Sequence, residues 1–307
     1  MVSTVIRTFY CRKLPYQTGA NQNMSSTFAF QKPDMDTVLS AVILGFDSAD
    51  PLIECSPEAS KELLARPEVY CIECGGSGQV DLRNFDHHDT HALLPPACVQ
   101  AYSFKGCSNT YLLQLVKYVQ WVDEGRRFSK YHCQEGLYLS NVYSGMLLMY
   151  ESSILEQFYH GVQLFKHVIE KKIDPWKPVP KISEWSPYFH HKNLQRQQLE
   201  KYASQINYYQ TNSGLTAGYL CANLPGTHAL LRRSGCTLSI AAGLSKQNDL
   251  LYTTISSNQL SMLKLLPEIS RIEKGWGGPC HGNIIASPKK GTCLSERDLV
   301  TLVCNFF

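Results

Sequence analysis

Long apolar runs are missing from this chain of 307 residues. None approaches the roughly 20 residues that span a bilayer, so no transmembrane helix is predicted. The opening stretch Met1 to Arg7 lacks the basic start and apolar core of a secretory signal, and a soluble, cytoplasmic protein is expected. Charge of one sign is also scarce: a net +3 does not by itself announce a nucleic-acid surface. A second Cys-x-x-Cys pair is absent. The twelve cysteines are scattered singly apart from Cys71-x-x-Cys74, whereas a structural zinc commonly draws its four ligands from two such pairs. Reduced, mostly buried thiols are the remaining reading. Neither internal repeats nor low-complexity tracts occur. With 18% charged and 44% hydrophobic residues the balance is that of a globular chain, long enough for two domains with cores.

What is present centres on Asp86-His87-His88. Upstream, Val69 to Glu73 reads as a buried strand closed by Cys74-Gly75-Gly76, and Thr27–Phe30 as a second short strand. An apolar helix over 37–46 follows that second strand and leaves Asp34 and Asp36 in a strand-to-helix loop. In open α/β sheets such loops lie at the carboxyl edge, where ligands bind. A cap on the helix would account for Asp36 but not for both aspartates. Glu73 ends its strand over the same edge, and Val80–Phe85 is predicted to bring Asp86-His87-His88 to another strand end. Carboxylates at two strand ends beside a histidine pair suit hard or borderline divalent cations. Leu112, Leu115, Val116, Val119 and Val122 recur at helical spacing and place Asp123 at the end of a helix. A terminal aspartate there needs cationic compensation, from a metal or from Arg126 or Arg127.

Helices are also predicted over 137–150 and 154–171. Four prolines (Pro175, Pro178, Pro180 and Pro187) then read as a stiff linker, and residues 190–209 as one polar helix. Strands over 216–222, 236–243 and 250–256, a helix over 259–272, and a glycine-rich turn from Gly275 to Gly282 make a smaller mixed domain. Gly277, Gly278 and His281 of that turn would let backbone N–H groups approach an anion. Arg232 and Arg233, with Lys289 and Lys290, would supply charge for a phosphate. The boundaries expected are 1–173, a linker at 174–195, and 196–307.

In order and spacing, Asp34-Met35-Asp36, Glu73, Asp86-His87-His88 and Asp123 resemble the four motifs of the DHH phosphoesterases. Gly277-Gly278 to Asn283 resembles the substrate motif of the DHHA1 domain that usually follows. The resemblance covers about residues 27–130 and 214–300. It implies an α/β fold: a parallel-sheet DHH domain with flanking helices, then a smaller mixed α/β DHHA1-like domain. It also implies divalent cations, usually Mn2+, with Mg2+ or Co2+ as substitutes. One is held firmly by the positions of Asp36, Glu73, His87 and Asp123, and a second by those of Asp34 and Glu73. His88 would face the substrate phosphate and Asp86 would support the histidines.

Two departures stand out. The histidine that opens the family's first motif is Phe30 here, so one site has lost a ligand. The aspartate of the second motif is Glu73, one methylene longer. The activity implied is metal-dependent hydrolysis of small phosphate-containing substrates, such as short oligonucleotides or cyclic dinucleotides. The alternative is a weakened or inactive member that binds nucleotide or serves as a scaffold. Single-stranded nucleic acid and a second copy of the chain are the further partners considered.

Overall fold

Thr27–Phe30 (β1) is apolar and aromatic, and it occupies the middle of a four-stranded sheet. Its neighbours, Leu52–Glu54 (β2) and Val69–Ile72 (β3), are both parallel to it. The two-residue strand Asn84–Phe85 (β4) is parallel to β3 and completes the order β2-β1-β3-β4. A parallel sheet is covered on both faces and needs continuous apolar strands rather than alternating ones. Val69, Tyr70, Cys71 and Ile72 are accordingly all buried.

The structure, a computed structural model, describes residues 26–56, 61–88, 94–125, 138–222, 224–244, 250–278 and 282–307. Among them no helix is long and apolar enough to cross a membrane. Two compact units, Met1–Lys192 and Asn193–Phe307, divide the chain.

In the first unit, Met35–Leu44 (α1), Ala97–Phe104 (α2), Thr110–Asp123 (α3), Leu139–Met149 (α4) and Ile154–Glu170 (α5) accompany the sheet. Period-two alternation on β1 sends Phe28 and Phe30 into the main core and Ala29 to a smaller cluster with Cys55, Cys71 and Cys74. Phe30 stacks on Phe158 of α5 with ring centroids 4.5 Å apart, and Phe46 meets Phe158 edge-on at 5.1 Å.

Several local expectations change. Residues 80–85 are not one strand: Val80–Leu82 forms a 3-10 turn and Arg83 takes φ 59°. That left-handed residue interrupts the extended chain, so only Asn84 and Phe85 pair with β3. Helix α2 carries no clear period because it is short and begins directly after Pro95-Pro96. The proline-rich stretch packs instead of bridging open space: Trp176, Val179 and Ile182 lie against the first core and Trp185 is buried.

The helix Ser186–Glu200 (α6) stops short of 209, and Asn207–Gln210 (β5) is an edge strand. Thr216–Cys221 (β6), Leu238–Leu244 (β7), Leu251–Ser257 (β8) and Ile284–Ala286 (β9) continue a sheet in the order β5-β6-β7-β8-β9. Only β6 and β7 are parallel, joined through Thr227–Arg233 (α7), a helix too short to show a period in sequence. The helix expected over 259–272 is split into a 3-10 turn, Met262–Lys264, and Leu266–Ile272 (α8), where Pro267 suits a first turn and not a helix interior. Glu296–Phe306 (α9) closes the second core with Leu299, Val300 and Val303.

Phe158 ties α5 to Phe30 of β1 and to Phe46, just beyond α1, through two aromatic contacts. Phe158→Ala should lower unfolding free energy by roughly 3–5 kcal/mol, the usual range for emptying such a site. Urea denaturation followed by tryptophan fluorescence would measure it.

Candidate metal centre

The first turn of α1 carries two aspartates with different duties. Asp34 is the N-cap: its Oδ1 accepts from the Thr37 amide at 2.9 Å. The cap is thus Asp34 and not Asp36. Asp36 lies within the helix, fully buried, and accepts from the amides of Ala97 at 2.7 Å and Cys98 at 2.8 Å. These amides open α2, so Asp36 satisfies donors that the helix itself cannot. Each carboxylate oxygen keeps a second lone pair for another partner. Tyr143 of α4 fixes the approach to α1 by donating its hydroxyl to Pro33 O at 2.7 Å and Asp34 O at 2.9 Å.

Glu73 follows β3 with φ 48°, a left-handed conformation that carries a steric penalty of roughly 1–2 kcal/mol for a side chain of this kind. The kink holds a buried carboxylate over the sheet edge. Thr37 Oγ1 donates to Glu73 Oε2 at 2.9 Å, and His87 Nε2 lies 3.1 Å from Glu73 Oε1. Glycines at 75 and 76, with φ 84° and 70°, then turn the chain so that the Gly76 amide donates to Asp86 Oδ2 at 2.9 Å.

Asp86 is a hydrogen-bond partner of His88. Its Oδ1 accepts from the His88 amide at 2.8 Å and lies 3.2 Å from His88 Nδ1. His87 turns inward, with Nε2 3.5 Å from Asp123 Oδ2 at the end of α3. His88 keeps a side chain 53% exposed.

One ligand atom each from Asp36, Glu73, His87 and Asp123 lie within 4.8 Å of one another, and Glu73, His87 and His88 form an overlapping group. Asp34 is in neither group. Asp123 Oδ2 is buried and accepts no hydrogen bond. A buried carboxylate oxygen of that kind is stable only if neutralised. Three carboxylates and an imidazole are also the oxygen-rich donors, with one nitrogen, that Mn2+-like ions take. The residues fit a divalent cation.

Electrostatics support that fit. Burial, then the charge of Asp34, raises Asp36 to about 6. Burial, then Asp36 and Asp34, raises Asp123 to about 7. Glu73 is pushed well up by burial and by Asp34 and Asp36. Burial also pushes Asp86 upward, but the His88 ring and the amides of His88 and Gly76 outweigh it and hold the carboxyl low. Its hydrogen bond in turn raises His88.

Phe30, the position of the missing histidine, points into the core against Phe158. An imidazole in the same rotamer would meet that ring and not the carboxylates. Thr37 escapes a reading of the sequence: a threonine three residues after Asp34 signals only a helix start, and its reach to Glu73 spans 36 positions.

The residues expected to bind substrate each have a local partner where they are described. Gly277 pairs with Ala286, and a Cβ on Gly278 would lie 2.3 Å from Ile284 O, so Gly278 is explained by close backbone packing. Arg233 forms an ion pair with Glu200, while Arg232 donates to Ser256 Oγ at 3.4 Å. His281, like Arg126 and Arg127, lies outside the described residues.

The raised carboxyl groups give a pH signature. In the folded protein, Asp36 and Asp123 release protons near 6 and 7, above the ordinary carboxylate value of 3.8. Folding therefore binds extra protons between these values, and its stabilisation is complete below about pH 4 and lost as pH rises through 6 to 7. Chelated protein should show a contribution to Tm that falls over this window. Saturating Mn2+ should remove the fall, and Asp123→Asn should reduce it; calorimetry at pH 5 and pH 7.5 measures both.

No protein-family model matches the sequence, and no curated protein matches it. Among solved structures the chain is similar to PggH, a pGpG-specific phosphodiesterase from Vibrio cholerae. The TM-score is 0.58 at 13% identity, covering 91% of this chain and 96% of that one. It also matches the DHH domain of a member of a family of ribosomal proteins. There the TM-score is 0.46 at 10% identity, with 85% and 82% covered. The alignment to the phosphodiesterase covers residues of both units, and the chain shares its fold.

Proposed function

We propose that this protein is a divalent-cation-dependent phosphodiesterase of small nucleotides. The observation that carries the proposal is the convergence of Asp36, Glu73 and Asp123 on His87, with Asp123 Oδ2 buried and accepting no hydrogen bond. Asp36, Glu73, His87 and Asp123 would hold one Mn2+, Mg2+ or Co2+ ion. Asp34 and Glu73 would hold a second more weakly, for want of a ligand at Phe30. Such cations neutralise phosphate charge and lower the pKa of a coordinated water.

The chain's own groups supply the rest. Thr37 fixes one oxygen of Glu73 and leaves Oε1 toward His87. The two amides at the start of α2 hold the Asp36 carboxylate in one orientation. Asp86 takes Nδ1 of the half-exposed His88, so Nε2 is the atom offered to a phosphate oxygen. The raised pKa of His88 favours the imidazolium, which suits an anionic substrate. PggH acts on pGpG, and that linear dinucleotide is the first substrate to test.

A second reading, a nucleotide-binding protein without turnover, is favoured by Phe30, which is fully buried and stacked where the family has a ligand. Chromatographic assay of pGpG hydrolysis with Mn2+ separates the two. Activity abolished by chelation supports the enzyme, and its absence across Mn2+, Mg2+ and Co2+ supports the silent binder.

His87→Ala and Asp123→Ala should each weaken metal affinity by at least about tenfold, since even outer partners of metal ligands contribute roughly 10–100-fold. Metal analysis of the purified variants measures this. Full occupancy in both would reject the assigned ligands.

A further inference from the structure

One buried side chain ties together two segments that border the metal centre. Gln100 of α2 is 6% exposed. Its Nε2 donates to Asp86 O at 3.1 Å and to Pro95 O at 2.7 Å, carbonyls fourteen and five positions earlier in the chain. A primary amide nitrogen carries two N–H groups, so these two contacts use both. They also fix the orientation of the amide, because a carbonyl accepts from its nitrogen and not from its oxygen. Gln100 Oε1, by contrast, is buried and accepts no hydrogen bond among the described residues. A buried acceptor without a partner is costly. The side chain is therefore held by its two donors.

Both carbonyls adjoin the ligand set. Asp86 O belongs to the peptide bonded to His87, whose Nε2 faces Glu73 and Asp123. Pro95 O belongs to the peptide that leads into Pro96, and the next two amides, of Ala97 and Cys98, hold the two oxygens of Asp36. One carboxamide thus holds the start of α2 against the peptide bonded to His87. The carbonyl on the histidine side has little room to drift, since a Cβ at Gly78 would lie 2.9 Å from Asp86 O.

Asp36 lies on α1 and His87 follows β4, so covalent geometry does not set the distance between them. Ligand sets work only when held to within about 0.5 Å of the productive arrangement. We propose that Gln100 is a positioning residue of the metal centre, keeping His87 in register with Asp36 through the Asp86 and Pro95 carbonyls. This rests on the divalent-cation reading of the site. Gln100 acts through the backbone and is given no role as a ligand.

The test is Mn2+ binding to the full chain, followed by electron paramagnetic resonance, together with the visible absorption of bound Co2+. Gln100→Met keeps the length of the side chain and removes both donors. It should weaken Mn2+ binding by at least about tenfold, the effect usual for outer partners of metal ligands. It should also alter the Co2+ spectrum, which follows coordination geometry. Gln100→Asn keeps the donors but withdraws them by one methylene. A smaller loss in the same direction is expected there, and this variant decides the outcome if the methionine variant fails to fold. Tyr111→Phe is the control for lost stability alone. The Tyr111 hydroxyl donates to Val168 O at 2.8 Å and Ile173 O at 2.7 Å, about 18 Å of helix before Asp123. Its removal should lower Tm and leave the Mn2+ affinity and Co2+ spectrum at their parent values. Parent-like affinity and spectrum in every folded Gln100 variant, or an equal loss in Tyr111→Phe, would overturn the proposal. A parent protein that binds neither ion overturns the metal reading itself, a result distinct from a parent that binds and Gln100 variants that bind alike.

Discussion

Repulsion among buried carboxylates governs the first unit. Asp36, Glu73 and Asp123 offer oxygens within 4.8 Å of one another. Two full charges at that separation repel by about 3–4 kcal/mol at an effective dielectric constant of roughly 20. Burial adds to the penalty for ionisation at all three. The surrounding structure answers part of it: two helix amides hold Asp36, a hydroxyl holds Glu73, and His87 lies between Glu73 and Asp123. What they leave is an excess of negative charge and one carboxylate oxygen without a hydrogen bond. Proton uptake or a divalent cation would neutralise it, and either would couple stability to the charge of this site.

The same constraint explains the local backbone. A strand end reaches over its sheet edge only if the chain turns at once. Glu73 does so in a left-handed conformation and is followed by two positive-φ glycines. Parallel pairing of β1 and β3 places Phe30 beside Ile72, one residue before Glu73, yet the Phe30 ring faces the aromatic core. Neighbouring positions on one edge thus serve opposite ends, with apolar packing beneath the sheet edge and charge above it. Phe30 strengthens the first and withholds a ligand from the second.

In the second unit, the two sheet faces are packed differently. Leu238, Ile240, Ala242 and Ile255 build the core on one side. Small and hydroxylated side chains on the other side open a cavity beside His228 and Arg232. The adjacent arginines, alike in sequence, are separated by the helix: Arg232 lines the cavity and Arg233 pairs with Glu200.

Apolar runs and their spacing determined β1, β3, α1, α3 and α5, because buried strands and long amphipathic helices carry their own signature. The resemblance of the acidic and histidine motifs to a known family grouped Asp36, Glu73, His87 and Asp123, and the fold brings one ligand atom from each within 4.8 Å of the others. Tertiary structure decided the rest. Helices α2 and α7 are too short for periodicity, and β4 is reduced to two residues by a left-handed Arg83. The bond from Thr37 to Glu73, the service of Asp86 to His88, and the burial of Phe30 against Phe158 depend on distant segments meeting. Local sequence encodes propensity and period; which polar atom meets which partner is settled only when the sheet closes and water leaves.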